Sequence, residues 1–428
     1  MHDLPRPAES LDISFTEDAL PTLVNAFQQY GDAYRIFAPA TGSDICVFSH
    51  PDHVRHVFVD KNANFTKGIG IERVRILLGN GIMASEGDFW RRQRKMIQPA
   101  FHRDVISGML REIGKANCAL RDRWASMALQ GKEIDLSQQL SEVTLQIVLK
   151  AIFSSDLPAI ESRTGVNPFL ILATDTDRNL QFAYKFRSLS GLVMECVNRR
   201  REGNIGNDLL GMLIAARDRR NNDPMTDRQL VDEVLTLIVA GHETTASALN
   251  WMWYLLSRHP EIESRMHREI DAWDENYSDM TSVLQLTYTR QVIEETMRLY
   301  PPGWLLTRRT INADTIGTHA IPANTDVFVS PYLVHRHPAF WDDPERFDPD
   351  RFNTAAKEKR NRFCYLPFAL GPRACIGEHF AMVEMMIHTA LIARKFRLRY
   401  LRQDPMGMEC QVNLRPIENI MMQLEERN

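Results

Sequence analysis

The chain has no Cys-x-x-Cys pair; its six cysteines (Cys46, Cys118, Cys196, Cys364, Cys375, Cys410) are scattered. That spacing argues against a structural zinc site and a disulfide scaffold, and makes each cysteine, taken alone, a small buried hydrophobe. No long apolar run opens the chain, where Asp3, Arg6, Glu9, Asp12, Glu17 and Asp18 stand within thirty residues. Neither a signal peptide nor a transmembrane anchor is therefore expected, and a cytoplasmic location follows. Net charge is also scarce: 51 basic against 55 acidic residues leave −4, too little and of the wrong sign for a protein that wraps nucleic acid. There is no repeat, low-complexity tract or Gly/Ser linker, so one compact domain over residues 1–428 is expected despite the length. A Gly-x-Gly-x-x-Gly dinucleotide segment and an iron–sulfur cysteine cluster are both missing, so the chain holds no recognisable electron source of its own.

What is present is ordinary globular material, 44% hydrophobic and 25% charged, which excludes disordered and collagen-like chains. Alternating residues from Tyr34 to Phe37 and from Asp44 to Phe48 flank Pro39 and Gly42 and predict a hairpin. From about Gly87 to Leu299 the apolar residues recur every three or four positions, the signature of a helical mass. Thr226-Asp-Arg-Gln229 is a capping box, and no proline follows until Pro260, which predicts a helix of roughly 50 Å. After Pro301-Pro302 come short β-like pieces, then a final helix from about Gly377 to Arg394. The expected class is mainly α with a small β-rich part.

One cysteine has a distinctive setting. Phe368-Ala-Leu-Gly371-Pro-Arg373-Ala-Cys375-Ile-Gly377 places Cys375 in a glycine-lined turn just before that last helix. Free N–H groups and the dipole at a helix start stabilise a thiolate, and a lone thiolate can ligate haem iron. Gly371 and Gly377 allow close approach of a flat macrocycle, and Arg373 is two residues from the sulfur, within reach of a propionate. On the long helix, Ala240-Gly241-His242-Glu243-Thr244-Thr245 interrupts an apolar run. Glycine and β-branched threonine weaken a helix interior, so a local distortion is expected there. A zinc His-Glu-x-x-His site is excluded because position 246 is Ala. The bland alternative is that Thr244 and Thr245 bond backwards to helix carbonyls.

The cysteine segment resembles the haem-binding loop of the cytochrome P450 family, Phe-x-x-Gly-x-Arg-x-Cys-x-Gly, at every fixed position. Glu295-Thr-Met-Arg298 is similar to the family's Glu-x-x-Arg pair, and Pro344-Glu-Arg346-Phe347 to the loop completing that network, with Arg346 against Glu295. Trp90 and Arg94 match the family's helix that reaches a haem propionate. The resemblance spans about residues 20–420, leaving 1–19 as an extension. It implies a single-domain P450 fold in which the long helix crosses over the haem, haem b ligated by Cys375, and cofactor contacts from Trp90, Arg94, Ala240, Gly241, Arg308 (or Arg309), Phe368, Gly371, Arg373 and Gly377. It further implies that Thr244 is the alcohol serving bound dioxygen and Glu243 the acid relaying protons. His242 is expected to face a neighbouring helix.

The implied activity is a monooxygenase that hydroxylates or epoxidises its substrate using electrons passed from NAD(P)H by a ferredoxin and its reductase, or by a flavodoxin. Arg91, Arg92 and Lys95, or Lys357, Lys359, Arg360 and Arg362, would dock that acidic carrier. By family position the substrate faces Ile71, Leu77, Thr236, Val239, Trp304, Leu305, Leu306, Val412 and Asn413, a mostly apolar set suited to a lipophilic molecule. A terpenoid or isoprenoid is the favoured class. A fatty acid held by Arg178 or Arg187 is the alternative within the fold, and a haem-thiolate gas sensor or peroxide-dependent isomerase is the alternative outside monooxygenation. A monomer is expected.

Overall fold

The computed structural model describes residues 4–12, 19–174 and 180–427. Its residues gather into two compact units, each drawn from three stretches: 1–71, 290–375 and 404–418 in the first, 72–289, 376–403 and 419–428 in the second. The missing linker thus reflects a chain that returns repeatedly to each unit rather than passing once from one to the next.

The first unit is built on a five-stranded sheet of β1 (Ala33–Ala38), β2 (Ser43–Phe48), β3 (Phe65–Lys67), β4 (Leu306–Thr310) and β5 (Asp326–Val329), in the order β1-β2-β5-β4-β3. The predicted hairpin is β1–β2, with Ala33 opposite Phe48. Ile45, Val47 and Phe48 are buried, as are all four residues of β5. Such near-continuous burial suits a central strand covered on both faces. Between β2 and β3, His56–Asp60 forms one π-helical turn. Of the short β-like pieces and turns expected after Pro301-Pro302, the stretch 343–350 supplies turns and the start of a 3-10 turn at Pro349–Phe352.

The second unit is mainly helical, with one small three-stranded sheet of Ile134–Asp135, Met421–Glu426 and Phe396–Arg399. Its long helix runs Asp227–Arg258, 32 residues, about 48 Å at 1.5 Å per residue. The Thr226 hydroxyl accepts from Gln229 N and the Gln229 side chain accepts from Thr226 N, completing the capping box. It packs on the helix Leu136–Phe153, where Ser141 Oγ lies 2.8 Å from His242 Nε2. The closing helix is Glu378–Ala393, buried from Met382 onward. Among the described residues no single helix is long and apolar enough to cross a membrane.

Candidate active site

Of the six cysteines, Cys46, Cys196, Cys364 and Cys410 are buried and Cys118 is half-buried, while Cys375 is exposed. Burial pushes the Cys46 thiol up to about 12 and Cys364 to about 11, which keeps them protonated and inert. Cys375 stands two residues before Gly377, the N-cap of Glu378–Ala393. Its N–H closes the turn on Phe368 O at 2.8 Å, and Ala374 N bonds Gly371 O. Gly371 is irreplaceable here: φ is +71°, and a Cβ would stand 1.9 Å from Phe58 O.

That contact leads to a residue not singled out in the sequence. Phe58 lies in the π-helical turn, and its ring centroid is 4.5 Å from the Arg308 guanidinium carbon, a cation–π distance. Phe58 thus joins the cysteine loop to buried Arg308. The neighbouring Arg309 projects to the other face of β4 and is held by Asp326 at 2.6 Å, so its charge is already matched. Arg373 is half-buried.

The long helix is buried from Leu230 to Ile238 and again from Thr245 to Leu256. Between them Val239, Ala240, Gly241, Glu243 and Thr244 keep exposed surface while His242 is buried. Positions 239, 240, 243 and 244 share one helical face, so the helix leaves an open window where the motif lies. The expected distortion is absent: the segment is regular α-helix. Thr244 Oγ1 donates to Ala240 O at 2.8 Å and Thr245 Oγ1 to Gly241 O at 3.2 Å, the backward bonding named above as the bland alternative. Both hydroxyl oxygens still retain lone pairs for another donor. A Cβ on Gly241 would sit 2.9 Å from Val148 Cγ2, so its smallness serves helix packing as well. Trp90 is buried and Arg94 half-buried on Gly87–Ile97, four residues apart and so on one face.

The ion-pair network departs from expectation at one residue. Arg298 donates to both Glu295 oxygens, at 2.6 and 2.8 Å, and to the carbonyls of His335, Pro344 and Arg346. Arg346 therefore contributes its main chain; its side chain is exposed. The cation near Glu295 is Arg351, at 3.5 Å, on the turn Pro349–Phe352 that folds back over the helix Thr287–Leu299.

The pocket residues divide. Trp304 and Thr236 are each 1% exposed, so neither shows surface to an open space; they pack rather than line. The Trp304 indole donates to Gln411 O, and Leu414 N to Pro302 O, which brings 302–306 beside 411–414. Ile71, Leu77, Val239, Leu305, Leu306 and Asn413 are half-buried, and Val412 is exposed. Arg178 lies outside the described residues. Arg187 donates to Leu77 O and stands 3.7 Å from Asp232, already engaged and no waiting anchor for a carboxylate. The basic clusters are likewise largely committed: Arg91 to Asp88, Arg92 to Asp218, Lys357 to Glu294, and Arg360 stacked 4.4 Å over Phe352. An open depression of about 640 Å³ around His56, Lys61 and Asp314 contains none of the motif residues.

A family model described as cytochrome P450 matches residues 13–164 and 166–424. The chain is 35% identical to cyclooctatin synthase of Streptomyces melanosporofaciens over 373 residues, covering 82% of this chain and 80% of that protein. It is 30% identical to pentalenene oxygenase of Streptomyces avermitilis over 402 residues, covering 88% and 86%. A crystal structure of a cytochrome P450 (CYP102L1) matches with a TM-score of 0.87 and 24% identity over 99% of both chains, a likeness of fold.

Proposed function

Because the chain belongs to the cytochrome P450 family of monooxygenases, we propose that it oxidises a lipophilic, terpenoid-class substrate at a haem held by Cys375, with electrons supplied from outside. The observation that carries the cofactor assignment is the exposed thiol of Cys375 in a chain whose other cysteines are wholly or partly buried. The donors of the first unit fit the group, the Cys375 thiol at a helix start for the metal and Arg308 and Arg373 for the propionates; Trp90 and Arg94, in the second unit, are propionate contacts by the family resemblance. Thiolate-ligated haem supplies reductive activation of dioxygen when bound.

The chain's own residues have separable tasks. The first turn of Glu378–Ala393 stabilises the anionic sulfur of Cys375. Glu243, with its side chain in the open window, accepts and releases protons, and Thr244 passes them on by turning its hydroxyl away from Ala240 O. Val239 and Ala240 keep the same face apolar and small. Glu295, Arg298 and Arg351 tie the helix Thr287–Leu299 to the 344–351 loop and play no chemical part.

Two observations favour a terpenoid. Two relatives are named cyclooctatin synthase and pentalenene oxygenase, the second after a terpene hydrocarbon, and Arg187, the one described candidate for gripping a fatty-acid carboxylate, is held by Asp232 and Leu77 O. Electrons come from a small acidic carrier, a ferredoxin or flavodoxin, since the chain has no dinucleotide segment; Lys359 and Arg362, exposed on the unit that bears Cys375, favour its approach.

Cys375→Ser tests the core of the reading. The reduced, carbon-monoxide-bound spectrum should lose the thiolate-type band, and its retention would refute the assignment. A spin-state titration against terpenes and fatty acids then ranks the two substrate classes.

A further inference from the structure

Asp232 and Glu233 are adjacent on the long helix, ahead of the window, and take no part in the chemistry above. Both are buried, at 2% and 0% exposure. Each accepts a main-chain N–H from the same short segment: Asn80 N donates to Asp232 Oδ2 at 2.9 Å, and Ile82 N to Glu233 Oε2 at 2.8 Å. Arg187 joins the far end, donating to Leu77 O while facing Asp232. Two glycines make the approach possible. A Cβ on Gly79, where φ is +66°, would stand 2.1 Å from Asp232 Oδ1, and one on Gly81 would stand 2.1 Å from Thr236 Oγ1. Beyond the segment, Ala84 N and Ser85 N both return to Gly81 O at 2.9 Å, and Arg75 donates to Ala84 O.

We propose that Asp232 and Glu233 are positioning residues, a paired-carboxylate latch that fastens the segment from Leu77 to Ile82 onto the long helix and thereby sets where Leu77 meets the substrate. The consequence for substrate rests on the reading of Leu77 as substrate-facing; the latch itself does not.

The two acids are not equivalent. The groups facing Glu233 are Asp232 on its own helix, the Ile82 N–H from the segment, and the Gln93 amide from Gly87–Ile97, which donates to Oε1 at 3.0 Å. Arg92 stands one step behind, donating to Gln93 Oε1 and pairing with Asp218, while Arg187 is aimed at Asp232. No cation in this set contacts Glu233. Burial therefore raises its pKa to about 7, against the pull of the Ile82 and Gln93 hydrogen bonds. Opening the segment hydrates the carboxyl and returns it toward its ordinary range near 4.5. The closed latch is then the form that binds the proton more tightly, so raising the pH through about 7 favours opening.

Hydrogen–deuterium exchange of the haem-loaded full chain, followed in a peptide spanning 78–86 and corrected for the intrinsic pH dependence, tests the latch. With the pKa at about 7, exchange should rise about tenfold between roughly pH 6 and pH 8, and Glu233→Gln should abolish that rise. Gln93→Leu, which removes one donor to Glu233, should move the midpoint upward, and it keeps the test alive if Glu233→Gln fails to fold. A flat wild-type profile, or an unchanged one in both variants, overturns the latch. Clotrimazole, an apolar azole that ligates haem iron, probes the functional step by spectral titration, and its affinity should follow the same pH curve. If the peptide responds and the azole affinity does not, the positioning role is overturned. If no azole spectrum forms at any pH, the haem reading fails instead.

Discussion

Glu295 and Glu233 are both fully buried on helices, and both accept a main-chain N–H, from Asp348 and from Ile82 respectively. Burial raises the pKa of both, and what separates them is the cation that pulls against it at Glu295. Arg298, itself 0% exposed, grips both oxygens of Glu295, and Arg351 stands close by; Glu233 has only neutral donors. A buried acid with a matched guanidinium is a fixed strut, because freeing either charge leaves the other stranded in a medium that solvates it poorly. A buried acid without one is a group whose protonation changes near neutral pH, and whatever it holds can be released. Glu384 extends the comparison: both its oxygens are buried with no hydrogen-bond partner among the described residues, and burial holds its pKa well above the carboxylate range.

The sharpest way to break the comparison is Arg298→Ala, which strands Glu295 and should cost about 3–5 kcal/mol, read by urea denaturation of the full chain. A loss below about 1 kcal/mol would mean that Glu295 is not held as a charge. Next is pH. The folded pKa of Glu233 lies above its unfolded value, so the native state binds more protons and this group's contribution is full below about 4.5 and lost as pH rises to about 7. That loss should approach about 3 kcal/mol, and Glu233→Gln should flatten the stability profile in that window. Glu384→Met removes a buried polar group that lacks partners, so it should raise stability by about 1–2 kcal/mol and lift the denaturation midpoint. Smallest is Glu72→Gln at the exposed Arg75 pair, where less than about 0.5 kcal/mol is expected; a larger change would undo the ranking by burial.

Features written over one or two helical turns, or within one loop, were legible beforehand. The capping box at Thr226, the hairpin at 33–48, the helix after Cys375 and the Glu295–Arg298 pair follow from local spacing, and each is present. Arg346 failed as the network's third side chain because that choice depends on how the 343–352 loop turns: it sends Arg351 inward and Arg346 outward. Family position puts Trp304 and Thr236 beside the substrate, but it carries no information on which flank of an element is already filled. The backward bonds of Thr244 and Thr245 formed because an uninterrupted α-helix always offers the carbonyl four residues earlier.

By itself the sequence determined the family, through the loop around Cys375 and the acid–alcohol pair on the long helix, since those patterns are short, contiguous and chemically demanding. Tertiary structure alone decided which cysteine would be exposed, which arginine beside Glu295 would point inward, that Phe58 would lie over Arg308, and that Glu233 would be buried without a cation. Burial and charge pairing are set by residues distant in the chain; the partners of Glu233 are Ile82 and Gln93, more than a hundred positions away. No window of local sequence records them.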